Sequence, residues 1–196
     1  MSSATASFLH QTGVVIGRMF VAVCVVVAAV TAAGAETFGK GLDAFNSGDY
    51  AVAYAIWLPL AEHGDANSQS SLAYLFHEGK GARQNSEAAA KWYYRAALQS
   101  EPTAQSFLCR MHLDGDGVPR DLVLALMWCE LSIDGGERWT SLIRDRVMSK
   151  MTTAQRDKAW ELVTRWRTDH AEAAPGGTAA ANKSAPSGSR DEARAR

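Results

Sequence analysis

The chain has 196 residues, 47% of them hydrophobic, and its 20 Lys and Arg against 21 Asp and Glu leave a formal charge of −1. That length holds one ordinary domain plus tails. So balanced a charge lacks the basic footprint of a dedicated nucleic-acid binder.

At the N-terminus Arg18 precedes an apolar run from Met19 to Ala33, and Ala33-Gly34-Ala35 puts small residues at the two positions a signal peptidase reads. The expectation is a signal peptide over residues 1–35, cleaved between Ala35 and Glu36, and a mature chain that is periplasmic or secreted and holds no membrane. The alternative is an uncleaved N-terminal membrane anchor. The run is shorter than the roughly 20 apolar residues a spanning helix needs, and extending it back to Val14 would bury Arg18. Cys24 lies in this run with no lipid-attachment sequence before it, so Cys109 and Cys129 are the only pair left to a folded domain.

Residues 36–64 read as a helix hairpin. Phe38, Leu42, Ala44 and Phe45 have helical spacing, Asn46-Ser47-Gly48-Asp49 stops that helix and caps the next, and Tyr50 to Glu62 carries Val52, Tyr54, Ile56, Trp57, Leu60 and Ala61. Pro59 falls inside this second helix, where it removes one backbone donor and is expected to bend rather than break it.

Residues 65–100 laid over residues 101–136, an offset of 36, match at Gln69/Gln105, Ser70/Ser106, Leu72/Leu108, Gly79/Gly115, Gly81/Gly117, Ala89/Ala125 and Trp92/Trp128. One unit is written twice, which is the signature of a stacked repeat. In each copy a first apolar run (Leu72, Ala73, Leu75 and Phe76; Leu108, Met111 and Leu113) ends at a Gly-x-Gly loop, and a second run bearing the Trp follows. Gly79, Gly81, Gly115 and Gly117, with Pro119, are therefore structural loop residues that end one helix and turn the chain. Asn85 with Ser86, and Asp121, suit the start of the next helix.

Residues 137–169 read as a C-terminal capping hairpin, with a first helix over Arg138 to Met148 and a second from Thr152 to about Thr168. Thr152 and Gln155 have the spacing of a capping box. From residue 170 to 196 the chain turns to Ala, Gly, Ser and Pro without apolar periodicity, the composition of a disordered tail.

The two copies resemble the Sel1-like repeat family, relatives of the tetratricopeptide repeats. The second copy carries the family's loop as Gly115-Asp116-Gly117-Val118-Pro119-Arg120-Asp121, followed by Ala125 to Trp128. The first keeps Gln69, Leu72, Tyr74 and Gly79-Lys80-Gly81 but has Ala82-Arg83-Gln84-Asn85 in place of the valine-proline loop. Residues 36–64 look like a tetratricopeptide-type hairpin. The resemblance implies an all-α, right-handed α-solenoid of about eight helices from Phe38 to Thr168. It also implies a non-catalytic scaffold that binds an unidentified protein or peptide through the concave surface of its first helices. The positions that recur there, expected to bind the partner, are Asn67, Gln69, Tyr74 and His77, then Thr103, Gln105, Arg110 and His112.

An alternative of another class, a cell-envelope hydrolase acting on cell-wall or β-lactam substrates, follows from the link of some secreted Sel1-like proteins to penicillin binding. It requires a nucleophile beside a base, and the sequence shows no Ser-x-x-Lys, no Gly-x-Ser-x-Gly and no His-Glu-x-x-His. His77, Glu78, His112 and Asp114 cluster near first-helix ends, but zinc needs three or four convergent ligands, so neither metal nor cofactor is expected. Trp57, Trp92, Trp128 and Trp160 read as packing in the wedges between helices rather than as a ligand shelf. Folding the second copy about Gly117 sets Cys109 opposite residue 125 or 126, one turn from Cys129, which is compatible with either a bridge or two buried thiols. Some secreted Sel1-like proteins carry a disulfide in each repeat, but here Cys109 stands at a small-residue position and Cys129 at an aromatic one.

Overall fold

The computed structural model describes Gly34 and residues 36–173, with side chains to His170. The expected signal, apart from Gly34, and residues 174–196 of the expected tail lie outside the described residues. Among those described there is no strand. The chain forms α1 (residues 36–46), α2 (Tyr50–Glu62), α3 (Ala66–Glu78), α4 (Ser86–Ala97), α5 (Pro102–Asp114), α6 (Leu122–Asp134), α7 (Thr140–Met148) and α8 (Thr153–Ala173). α3 with α4 and α5 with α6 form hairpins, α2 packs on α3 and α4 on α5, and α7 and α8 both pack on α6, so the architecture is the expected all-α solenoid.

Helix ends repeat with the sequence. The Asp65 carboxylate accepts from Ser68 N at 2.7 Å, and Glu101, its equivalent one copy later, accepts from Thr103 N at 3.1 Å and Ala104 N at 2.5 Å. Asn85 accepts from Ala88 N at 3.0 Å and Asp121 from Val123 N at 2.8 Å and Leu124 N at 3.0 Å. Each cap satisfies amides that have no intrahelical partner. Gly79 (φ 68°) and Gly115 (φ 78°) close α3 and α5 in the left-handed conformation.

The second glycine of each loop does something else. Gly81 (φ 69°) lies on the Tyr50 carbonyl at the start of α2, and Gly117 (φ 67°) lies on the Ser86 carbonyl at the start of α4. A Cβ at either would run into the backbone of the preceding hairpin, so only glycine lets the loop dock there. Beside it, Asp116 Oδ2 is 3.0 Å from His77 Nε2, and the Ser86 hydroxyl, then His77, hold the Asp116 carboxyl below its usual range.

Gln69 and Gln105 supply a second tie. Both were expected on the surface, yet they are 4% and 2% exposed. Gln69 Nε2 donates to the Ala61 carbonyl at 3.0 Å and Gln105 Nε2 to the Ala97 carbonyl at 3.3 Å, each joining a first helix to the end of the preceding second helix. Each carbonyl also accepts from the turn that ends its own helix, Ala61 O from Gly64 N at 3.1 Å and Ala97 O from Ser100 N at 2.9 Å, and the glutamine of the next hairpin fills its second acceptor site.

The core follows the same order. Ala53, Trp57 and Leu75 join the first two hairpins, and a larger cluster runs from Ala73 through Tyr93, Leu108, Leu126 and Trp128 to Val163. Trp57 and Trp128 are buried as expected of packing residues, and Trp92 is half-buried under the Arg95 guanidinium, 4.4 Å from its ring. Trp160 departs from that expectation, being 39% exposed on α8.

Cys109 on α5 and Cys129 on α6, left open by the sequence, are joined in a disulfide with Cα atoms 5.1 Å apart, so the second copy is pinned across its own hairpin. α2 continues through Pro59 to Glu62, as expected. Three boundary details differ. Asp49 stands at the start of α2 but makes no side-chain cap. α7 begins at Thr140, since Trp139 occupies the flanking position. α8 runs to Ala173, beyond the expected end near Thr168 and into the expected tail, because nothing in Asp169 to Ala173 breaks a helix. Its expected capping box is present, with Thr152 N donating to Gln155 Oε1 at 2.9 Å and Gln155 N to Thr152 Oγ1 at 3.3 Å.

Candidate functional site

The first helices α1, α3 and α5 lie side by side and leave a groove of about 450 Å³ between them. Phe38, Leu42 and Phe45 of α1, Trp57 of α2, Asn67, Ser70, Ser71 and Tyr74 of α3, and Thr103 and Phe107 of α5 line it with Glu101. The rings form a continuous series. Centroids stand 5.8 Å apart for Phe38–Trp57, Trp57–Phe45 and Phe45–Tyr74, 6.0 Å for Tyr74–Phe107, and 4.7 Å for the stacked pair Phe107–Tyr93. Edge-to-face and offset contacts of this kind hold ring positions more firmly than area alone would. The Trp57 indole Nε1–H donates to the Phe38 carbonyl at 3.3 Å, which satisfies its polar end. The Tyr93 hydroxyl is buried with no hydrogen-bond partner, and burial pushes its pKa far above the phenol range.

Glu101 is the only acidic residue in the lining, and both of its oxygens are committed to the first amides of α5. Two cations stand against lining rings. The Arg110 guanidinium is 4.9 Å from the Phe107 centroid, and Lys80 Nζ is 5.1 Å from Tyr74 and 5.8 Å from Phe45, as well as 5.3 Å from Tyr50. Lys80 Nζ also donates to the Tyr74 hydroxyl at 3.3 Å, which favours its charged form and raises its pKa.

The expected partner-binding residues divide. Asn67, Tyr74 and Thr103 line the groove, and Arg110 flanks it through Phe107. Thr103 Oγ1 also donates to Glu137 Oε1 at 3.0 Å. Gln69 and Gln105 are buried in the junctions described above. His112 is 3% exposed and also internal: its Nδ1–H donates to the Pro119 carbonyl at 3.2 Å, and its Nε2 accepts from the Tyr94 hydroxyl. That pair of bonds fixes the neutral tautomer, and burial holds the His112 pKa below its usual 6.5. His77 lies off the groove lining, bonded to Glu78 Oε1 and Asp116 Oδ2, each at 3.0 Å. His77 and His112 thus face different partners, and no group of three metal-ligating residues that could hold an ion occurs among the described residues.

Sequence reasoning missed Phe38, Leu42, Phe45, Ser70, Ser71 and Phe107 as groove residues. The signal was available on α5, where Thr103, Phe107 and Arg110 share one face at spacings of four and three. Phe107 stood there as an apolar residue in a polar series.

No helix among the described residues is long and apolar enough to cross a membrane. No curated protein matches the chain. Among solved structures it resembles a protective antigen of uropathogenic Escherichia coli with an SLR fold, at TM-score 0.66 and 21% identity over 78% of this chain and 35% of that one. It also resembles a Sel1 repeat protein from Oxalobacter formigenes, at TM-score 0.52 and 26% identity over 58% of this chain and 88% of that one. The chain thus spans about a third of the Escherichia coli protein's length, and that likeness concerns fold alone. The Sel1 repeat model matches residues 66–101 and 102–137, one residue on from the boundaries read in the sequence. The chain is therefore a solenoid protein carrying two Sel1 repeats.

Proposed function

We propose that this chain is a non-catalytic scaffold that binds a protein or peptide along the groove of α1, α3 and α5, in the periplasm or outside the cell. The observation that carries the reading is the groove itself, a preformed, ring-lined channel made by the inner helices of three successive hairpins. Stacked hairpins present such surfaces to peptides and partner domains, and interaction is the general role of Sel1 repeats. Export is supported by the signal-like N-terminus and by the Cys109–Cys129 bond, which persists in oxidising compartments.

The test is affinity capture from the envelope fraction with three chains. Asn67→Trp fills the groove from an exposed position without removing core atoms, and Leu98→Trp alters an exposed site outside the groove lining. A partner retained by the wild type and by Leu98→Trp, and lost with Asn67→Trp at unchanged melting temperature, supports the reading. Retention by all three overturns it, as does turnover of a cell-wall fragment by the purified chain with no partner recovered. Mass spectrometry of the exported protein should show Glu36 as first residue. A full-length membrane-bound chain contradicts the proposed release.

A further inference from the structure

The polar bonding around the groove is asymmetric. Neither Arg110 nor Lys80 has a carboxylate within 4.0 Å among the described residues. Lys80 spends one donor on the Tyr74 hydroxyl, and the Arg110 guanidinium carbon stands 4.9 Å from the Phe107 ring centroid. The nearby carboxylates are already engaged. Glu101 caps α5, while Glu78 and Asp116 both bind His77. The chain as a whole is slightly acidic, so a cationic edge on an apolar groove is a local arrangement rather than a reflection of net charge.

We infer that the groove takes an apolar peptide segment bearing acidic side chains, whose carboxylates meet Arg110 and Lys80 while its apolar side chains lie on the rings of Phe45, Tyr74 and Phe107. This rests on the groove being the binding site. Stacking holds each cation in place before binding, so less side-chain entropy is lost on pairing, and the apolar lining strengthens a charge-assisted bond formed there. Guanidinium on a ring keeps its edge free for a bidentate carboxylate, which gives Arg110 the larger share. Residues 174–196 contain Asp191 and Glu192 but almost no large apolar side chain, so the chain's own end lacks the second half of this chemistry.

The test uses the exported chain and three fluorescein-labelled peptides read by anisotropy: Leu-Glu-Phe-Leu-Glu-Phe, the same peptide with Gln for Glu, and the same with Lys for Glu. The Glu peptide should bind about tenfold tighter than the Gln peptide near 50 mM salt, and the gap should shrink near 0.5 M as charges are screened. Arg110→Gln and Lys80→Gln should each narrow the gap several-fold without moving the melting temperature, and Asn67→Trp should abolish binding of both. Equal binding of Glu and Gln peptides overturns the acidic occupant while leaving the groove reading intact. Tighter binding of the Lys peptide overturns it as well. No binding of any peptide overturns both readings. A concentration-dependent dimer in sedimentation that Asn67→Trp abolishes assigns the groove to a second copy and also overturns the inference.

Discussion

Gly117→Ala is a stringent test of how the hairpins are joined. The substitution adds one methyl group in a loop at the surface, where most changes cost little. Two costs add here. The left-handed conformation at φ 67° costs a non-glycine residue about 1–2 kcal/mol. The new Cβ would also run into the Ser86 carbonyl and lie 2.9 Å from Ser86 Cβ, and forcing a methyl into a closed space costs about 1–3 kcal/mol. Relief requires moving the first turn of α4, which Asn85 caps. The expected loss is about 2–5 kcal/mol, or a fall in melting temperature of about 6–20 °C for a domain of this size. Gly136→Ala is the control, since it shares the positive φ (103°) but has nothing within 4 Å of its Cβ. It should lose only the conformational part, about 1–2 kcal/mol. Gly81→Ala, against the Tyr50 carbonyl, should behave like Gly117→Ala. Thermal melts followed by circular dichroism, with urea titrations for the free energies, decide the matter. If Gly117→Ala and Gly136→Ala melt together, the close approach at Ser86 is not what holds the loop, and the account of the junction is wrong.

Gln105→Leu should cost about 0.5–1.5 kcal/mol in urea unfolding, because it removes the amide bond to the buried Ala97 carbonyl, which keeps its bond from Ser100 N. A neutral result would mean that the bond is dispensable. The exported chain, lacking Cys24, should show no free thiol when denatured without reductant, and reduction should lower stability by about 2–4 kcal/mol. Recovery of two reactive thiols would show that the pair is reduced. His112 gives a pH dependence whose sign follows from its lowered pKa: between the folded value and the usual 6.5, the unfolded chain binds a proton that the folded chain excludes. Stability should therefore fall as pH drops below about 6.5, and His112→Gln, which keeps a donor and an acceptor but does not titrate, should flatten that part of the profile. Parallel curves for the two proteins would show that His112 does not titrate out of its site.

The hairpins were legible because a 36-residue offset, paired glycines and helix caps are local signals, and each acts through residues close in sequence. Asn85 and Asp121 could be assigned as caps from spacing alone. Gln69 and Gln105 could not be placed from their polarity, which reads as exposure. Their burial is explained by the carbonyls of Ala61 and Ala97, eight residues upstream on another helix, and for Gln69 also by the Gln99 amide that donates to its Oε1. His112 was misplaced for the same reason, since its partners Tyr94 and Pro119 lie on α4 and in the loop. The groove was half legible: first helices were correctly chosen, and Asn67, Tyr74 and Thr103 lie in it, but its rings come from three hairpins and converge only when these stack. The disulfide lay beyond reach because helix rotation within the hairpin, not spacing, decides whether two sulfurs meet.

Both junction ties, the glutamine to the upstream carbonyl and the glycine loop on the upstream helix start, recur with the period of the unit. The instructions for docking a hairpin are thus carried within each copy and addressed to whatever copy precedes it. Lengthening the protein is then a matter of duplication: a further 36-residue unit inserted between the two copies would bring its own glutamine and its own loop glycine to the same kind of neighbour. Each addition would extend the inner channel by one helix and leave the end hairpins as they are. The reach of this surface can therefore change in whole-unit steps, by unequal recombination within a gene or by deliberate assembly, without redesign of any interface.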